Sequence, residues 1–227
     1  MCGRFTQIQS RERWLSALEG QAERAIPWDE QPVGRYNVAP GTRVLLLNYR
    51  DEALRLDPVF WGYAPPWWHK APLINARVET AAESKMFRPL WQHGRAVVMA
   101  DGWFEWKRAG EKKQPYYIYH HQHQPLFFAA IGHAPYHRPQ EKEGFVIVTA
   151  ASDRGMVDLH DRRPLVLEAQ AVGEWLHPDT SAARAAELAQ QAAMEPQAFS
   201  WHPVSRAVGN PQHQQAELVQ PVDDPLC

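Results

Sequence analysis

Apolar and polar positions alternate along this chain in two rhythms. Near the start, Trp14, Leu15 and Leu18 fall on one helical face behind Ser10, a capping residue; this predicts a helix over residues 8–19, closed by Glu19-Gly20. Residues 21–42 are dense in Pro, Gly and charge and predict a loop. Arg43–Asn48 and Leu54–Trp61 predict a hairpin around the polar turn Arg50-Asp51-Glu52. Pro65, Pro66 and Pro72 keep the next stretch irregular. Asn75–Ser84 has helical composition, and Phe87–Gln92 predicts a second short helix interrupted by Pro89. Strand runs follow at Arg95–Ala100, Trp103–Lys107, Tyr116–His121, Leu126–Ile131, Phe145–Ala150 and Pro164–Leu167. Ala169–Leu176 and Ser181–Ala193 predict two closing helices, and Trp201–Val204 a last short strand. Strands and helices do not alternate, which argues against a doubly wound parallel sheet. The expectation is an α+β protein, one domain over residues 1–227, with a mainly antiparallel, barrel-like sheet and flanking helices.

Composition narrows the function. The 227 residues are 44% hydrophobic and 22% charged, proportions of a folded globular protein. The longest apolar runs, such as Val44–Asn48 and Leu126–Ile131, are strand-length, far short of the roughly 18 residues of a membrane helix. The first residues, Met-Cys-Gly-Arg-Phe-Thr-Gln, lack the apolar segment of a secretory signal. A soluble, cytoplasmic protein with no membrane partner is expected, and in that reducing setting Cys2 and Cys227 are not expected to pair. No Cys/His set has zinc-ligand spacing, and no metal or cofactor is expected. The net charge is −2, but residues 1–110 hold 15 Lys/Arg against 12 Asp/Glu. A mildly basic front half fits a phosphate-facing surface as well as it fits chance.

Several residues can carry chemistry. If Met1 is removed, Cys2 presents a free α-amine and a thiol on adjacent carbons. Their reference pKa values, about 7.7–8.0 and about 8.5, leave both groups reactive near neutral pH. An aldehyde condenses with such an amine to a Schiff base, and the thiol then closes a five-membered thiazolidine, assisted by proximity. On position alone Cys2 is an ordinary terminal residue. Glu105, between Phe104 and Trp106, is either an outward residue of an alternating strand or a desolvated general acid/base. His160 sits in a loop entering a strand and is a candidate proton shuttle, one of eleven histidines. Asn75 is either a helix cap or an amide that holds substrate. Trp67-Trp68, between Pro65-Pro66 and His69-Lys70, is either a stacking platform for bases or a loop anchor. Trp14, Trp61, Trp91 and Trp175 read as core. His120, His121 and His123 read as a solvated hairpin end rather than a metal site.

These pieces occur in an order that resembles a known family. Met1-Cys2-Gly3-Arg4-Phe5, Arg35–Pro40, Trp61-Gly62, Ile74–Arg77 with Glu79-Thr80, Ala100–Trp106 and His160–Pro164 are similar to the motif series of the SRAP (SOS-response-associated peptidase) family, with an echo at Val208-Gly209-Asn210. The departures are Trp103-Phe104, where Phe-Tyr is commoner, and Arg163, where Met is commoner. The resemblance implies a sensor of abasic sites in single-stranded DNA, extending to single/double-strand junctions at replication forks and acting as a monomer. It implies that mature Cys2 bonds covalently to the ring-opened sugar, with Asn75 orienting the sugar or Cys2. Glu105 would assist ring opening and proton transfers, and His160 would contact the opened sugar. Arg4, Arg77 and Arg162 would hold phosphates, and Asn37, Pro40, Trp67, Trp68, Lys85 and Met86 would complete the DNA-binding set. The competing functions are a thiol autopeptidase, a non-covalent single-strand binder and a conventional abasic lyase.

Overall fold

The structure is a computed structural model and describes residues 2–18, 30–137, 141–153 and 155–223. Its strands form two sheets, mainly antiparallel and not closed into one barrel. The larger, eight-stranded sheet contains β3 (Arg43–Arg50), β4 (Ala53–Phe60), β5 (Asn75–Arg77), β6 (Arg95–Ala100), β9 (Leu126–Gly132), β10 (Phe145–Ala151), β11 (Arg162–Pro164) and β12 (Val166–Leu167). The smaller runs in the order β13-β8-β7-β1-β2, with β1 at Phe5–Gln7, β2 at Arg35–Val38, β7 at Gly102–Ala109, β8 at Lys112–His120 and β13 at Phe199–Pro203.

The apolar runs follow from this layering. Every residue of β6 and β9 is buried, because both faces of the larger sheet are covered. One face packs on α1 (Arg11–Ser16), α2 (Val78–Ala81), α3 (Arg88–His93), α4 (Ala169–Leu176) and α5 (Ala182–Gln191), through Leu47, Val97, Phe127 and Val148 against Trp14, Trp91 and Trp175. The other face meets the smaller sheet, so that Val98, Phe128 and Ile147 share a core with Phe5, Trp103 and Ile118. The outer face of the smaller sheet, with Phe104 and Tyr117, lies under Val204, Val208 and Leu218 of the C-terminal segment. Trp14, Trp61, Trp91 and Trp175 are all fully buried, as expected.

Three expectations fail for a common reason. β1 has no counterpart in the pattern, β2 lies in the expected loop, and residues 75–77 form a strand parallel to β10 where a helix was expected to begin. Each is only three or four residues long, and partners distant in the chain supply its hydrogen bonds, which local preference does not report. Only Val78–Ala81 of the expected Asn75–Ser84 helix is helical. Pro89 does not interrupt α3, because it sits in its first turn, where a missing N–H costs nothing. The expected helix end at Glu19-Gly20 lies outside the described residues; α1 ends at Ser16, with Ser10 capping as expected.

Neighbouring segments of the larger sheet approach closely at two glycines. A Cβ on Gly144 would stand 1.8 Å from the Phe60 carbonyl oxygen, and one on Gly94 would stand 1.8 Å from that of Gly132. A backbone oxygen cannot rotate aside. Gly144→Ala is therefore expected to cost at least about 3 kcal/mol, read as a lower urea midpoint. Gly209→Ala, with nothing within 4 Å, is the near-neutral control.

Candidate functional site

The first strand carries the N-terminal residues into the interior. Phe5 lies opposite Val38 on one side and Trp103 on the other, and its full burial is worth about 1.5–3 kcal/mol. The Phe104 N–H donates to the Arg4 carbonyl at 3.0 Å. The Asp101 carboxylate accepts from the N–H groups of Ile8 at 2.6 Å and Gln9 at 3.2 Å, and from Trp14 Nε1 at 3.2 Å. Held in this way, Cys2 has no exposed surface and belongs to the core between the sheets. It is a free thiol; Cys227 lies outside the described residues.

From the other sheet, Asn75 reaches across. Its Nδ2 donates to the Cys2 carbonyl at 3.2 Å, so it orients Cys2 rather than capping a helix. Trp61 Nε1 donates to the adjacent Ile74 carbonyl at 3.1 Å and fixes that strand. Asn75 Oδ1 is buried with no protein partner among the described residues and offers an acceptor beside Cys2.

Glu105 shares the inward face of β7 with Trp103 and is only 3% exposed, so the outward reading is wrong. Burial pushes its carboxyl up to about 8, and Asp161 adds to the rise. At neutral pH it is largely a carboxylic acid. Burial also raises the Cys2 thiol well above its ordinary value, and the neighbouring Glu105 charge raises it further. The pair therefore holds a protonated acid beside a neutral thiol.

His160 lines the same cleft as Glu105, a space of about 510 Å³ that also contacts Trp106, Arg108, Lys113 and Asp158. Its Nδ1 is 3.0 Å from the Arg162 N–H and 2.9 Å from Asp161 Oδ1, contacts that require opposite protonation of that nitrogen. Burial lowers the His160 pKa. That favours the neutral ring, with Nδ1 accepting from Arg162 and the proton on Nε2.

The other expected site residues divide by environment. Arg77, Lys85 and Trp67 are exposed, Trp67 at 57%. Trp68 is half-buried, packs edge-on against Trp67 at 6.3 Å and donates from Nε1 to the Ala71 carbonyl at 2.9 Å, so it anchors the loop that presents Trp67. Pro40 and Met86 are half-buried. Arg4, Asn37 and Arg162 instead make internal contacts. Arg4 donates to Asn37 Oδ1 at 2.9 Å and to the Val208 and Gly209 carbonyls at 2.7 and 3.2 Å. Asn37 is 1% exposed, and its amide is shared among the carbonyls of Val208, Asn210 and His213. Arg162 makes a two-pronged pair with Glu79 at 2.7 and 2.9 Å and donates to the Thr149 carbonyl at 2.6 Å. The pattern missed Lys113, whose charge reaches His160. The signal was available in the hairpin register, which sets Arg108 opposite Lys113.

His120 and His121 stack at 4.7 Å because the strand ends between them, so alternation does not part their rings. No group of His, Cys, Asp and Glu among the described residues has the arrangement of a metal site. No helix among them is long and apolar enough to cross a membrane.

Cys2 thus lies buried between two sheets, with the Asn75 amide on its carbonyl and Glu105 near its thiol. The chain belongs to the SOS response associated peptidase (SRAP) family, whose model matches residues 1–211. It is 63% identical, over 98% of its length and the whole of the relative, to the abasic site processing protein YedK of Escherichia coli (strain K12). It is 30% identical to the abasic site processing protein YoaM of Bacillus subtilis (strain 168), over 96% of this chain and 97% of that one. Among solved structures, a phage-related protein from Bordetella bronchiseptica superposes with a TM-score of 0.77 at 37% identity, covering 90% of this chain and 95% of the other.

Proposed function

We propose that the chain processes abasic sites in single-stranded DNA by bonding its mature N-terminal residue, Cys2, to the opened sugar. Removal of Met1, by self-cleavage or by an aminopeptidase, exposes the amine. Glu105, protonated at neutral pH, donates to the ring oxygen of the closed sugar as the bond from C1 to that oxygen breaks; the C1 hydroxyl gives its proton to water and becomes the aldehyde. The Cys2 amine adds to that carbon and loses water to give an imine. The thiol then adds to the imine carbon, its proton passes to the nitrogen, and the thiazolidine closes. Aldehyde, amine and thiol thus become one ring and one water. An open imine promotes β-elimination and strand cleavage; ring closure consumes it and preserves the strand as a protein–DNA crosslink. His160 and Asn75 orient the sugar and Cys2, Arg77, Lys85 and Trp67 engage the strand, and Arg4 and Arg162 act from within the wall. A single strand presents the sugar without the cost of unpairing.

The observation that carries this reading is the convergence of Cys2, Asn75 and Glu105 from two different sheets. The rival thiol peptidase calls on the same Cys2 thiol, which burial raises above its ordinary value, so the substrate rather than the thiol separates the two readings. The test uses a single strand bearing one abasic site, a denaturing gel and peptide mass spectrometry. The expected result is a denaturant-stable adduct on residue 2 of a chain lacking Met1. An adduct on an interior side chain, or cut DNA without adduct, overturns the proposal; cleavage of unrelated peptides in trans favours the peptidase.

A further inference from the structure

The hairpin of β7 and β8 carries charges that the reading above leaves unused. It turns at Gly110-Glu111, with Gly110 at φ +64°, the left-handed region that glycine adopts readily. The register places Arg108 directly opposite Lys113. Like charges at opposed positions repel and weaken a hairpin. Lys107 and Lys112 flank them, and all four are exposed. Among the described residues neither Arg108 nor Lys113 has an ion-pair partner, and Glu111 sits in the turn beyond them. Arg108, Lys107 and Lys113 line the cleft that ends at Glu105 and His160, with Asp158 as the carboxylate on the opposite wall. Lys113 is close enough to His160 to disfavour its protonation. The cations therefore stand at the mouth of the cleft rather than on a remote face.

Topology gives them a side. Arg77 stands on β5, in the larger sheet, while the hairpin belongs to the smaller sheet, and Cys2 lies in the core between the two. A strand that crosses the seam between the sheets continues over one sheet in one direction and over the other in the opposite direction. Arg77 and Trp67 serve the first direction; the second has no phosphate contact assigned.

We propose that the β7–β8 hairpin is a second backbone clamp, in which Lys107, Arg108 and Lys113 take the phosphates of single-stranded DNA on the flank of the damaged sugar opposite to Arg77. The proposal rests on the DNA-binding part of the reading above. It accounts for a repelling pair of cations at the rim of a cleft that admits an anionic chain.

The test measures equilibrium binding of a short single strand carrying a tetrahydrofuran analogue, which has no aldehyde and forms no adduct. The proteins are wild type, the double variant Arg108→Ala/Lys113→Ala, and Lys142→Ala as an exposed control. The double variant is expected to bind about tenfold more weakly at low salt, with a slope of log Kd against log salt shallower by about 1.4, equivalent to two lost phosphate contacts. Strands shortened on one flank complete the test. One truncation should cost wild type but not the double variant, and the other should cost both equally. An unchanged slope overturns the clamp, and so does equal sensitivity of both proteins to truncation on each flank. Adduct formation on a true abasic strand is scored separately. An adduct with an unchanged slope removes the clamp alone, whereas binding without an adduct in wild type removes the covalent reading and leaves the clamp measured.

Discussion

Cys2→Ala is expected to form no denaturant-stable adduct with an abasic single strand. The variant is used with Met1 removed, as checked by intact mass, so that the amine remains at residue 2. The amine still condenses with the aldehyde, but without sulfur the product stops at the imine. Two results follow: a complex that survives denaturation only after borohydride reduction, and strand cleavage by β-elimination where wild type protects the strand. Cys2→Ser keeps an oxygen that closes only a less favourable five-membered ring, and should give a weaker adduct. The cysteine is fully buried, so circular dichroism and thermal melts of each variant are part of the measurement. A stable, unreduced adduct from a folded Cys2→Ala protein equal to that of wild type would reject the mechanism.

The second large effect belongs to Glu105. Glu105→Gln retains the shape and removes the transferable proton, and general acid catalysis contributes typically 10²–10⁴-fold. Adduct formation in the variant should be slower by about a hundredfold or more. The pH profile carries the diagnosis. In wild type the rate climbs as the α-amine loses its proton, around pH 7.7–8.0 in model compounds, and falls as Glu105 ionises, about 8 in the folded chain. The variant should keep the climb and lose the fall. Stability moves with the same group. Between the ordinary glutamate value near 4.5 and about 8, the native state retains a proton that the unfolded chain has released, so folding stability declines as pH rises through that window. Glu105→Gln lacks this decline, and its Tm should gain on that of wild type between pH 5 and pH 8. A parallel Tm difference across that range would show that the carboxyl is not held protonated by the fold.

These predictions depend on burial, the property that the residue pattern expressed unevenly. β6 and β9 were legible because sheets covered on both faces have continuous apolar runs, and α4 and α5 were legible from their helical period. β1, β2 and β5, the segments that build the site, were illegible. Phe-Thr-Gln, Arg-Tyr-Asn-Val and Asn-Ala-Arg become strands through neighbours tens of residues away. Glu105 shows the same limit in one residue. Alternation placed it on the face of Trp103 but could not say that this face is interior, because that depends on the second sheet. Asn75 was given a helix and lies in a strand, with its amide on the Cys2 carbonyl. The internal bonds of Arg4 and Arg162, to carbonyls and to Glu79, were equally invisible, because their partners lie far along the chain. The abasic substrate was never in the residues one by one; it came from the order of the motifs.

The ties from Arg4 and Asn37 to the carbonyls of Val208, Gly209, Asn210 and His213 span separations of 171 to 205 positions. Contacts so far apart in sequence close large loops and slow folding. A chain cut before Val208 would keep β1 paired with β2 and β7 but leave the Arg4 guanidinium and the Asn37 amide without these acceptors. One wall of the Cys2 neighbourhood is in this way finished by a segment remote in sequence, and shortening that segment should loosen the wall before it loosens the sheets.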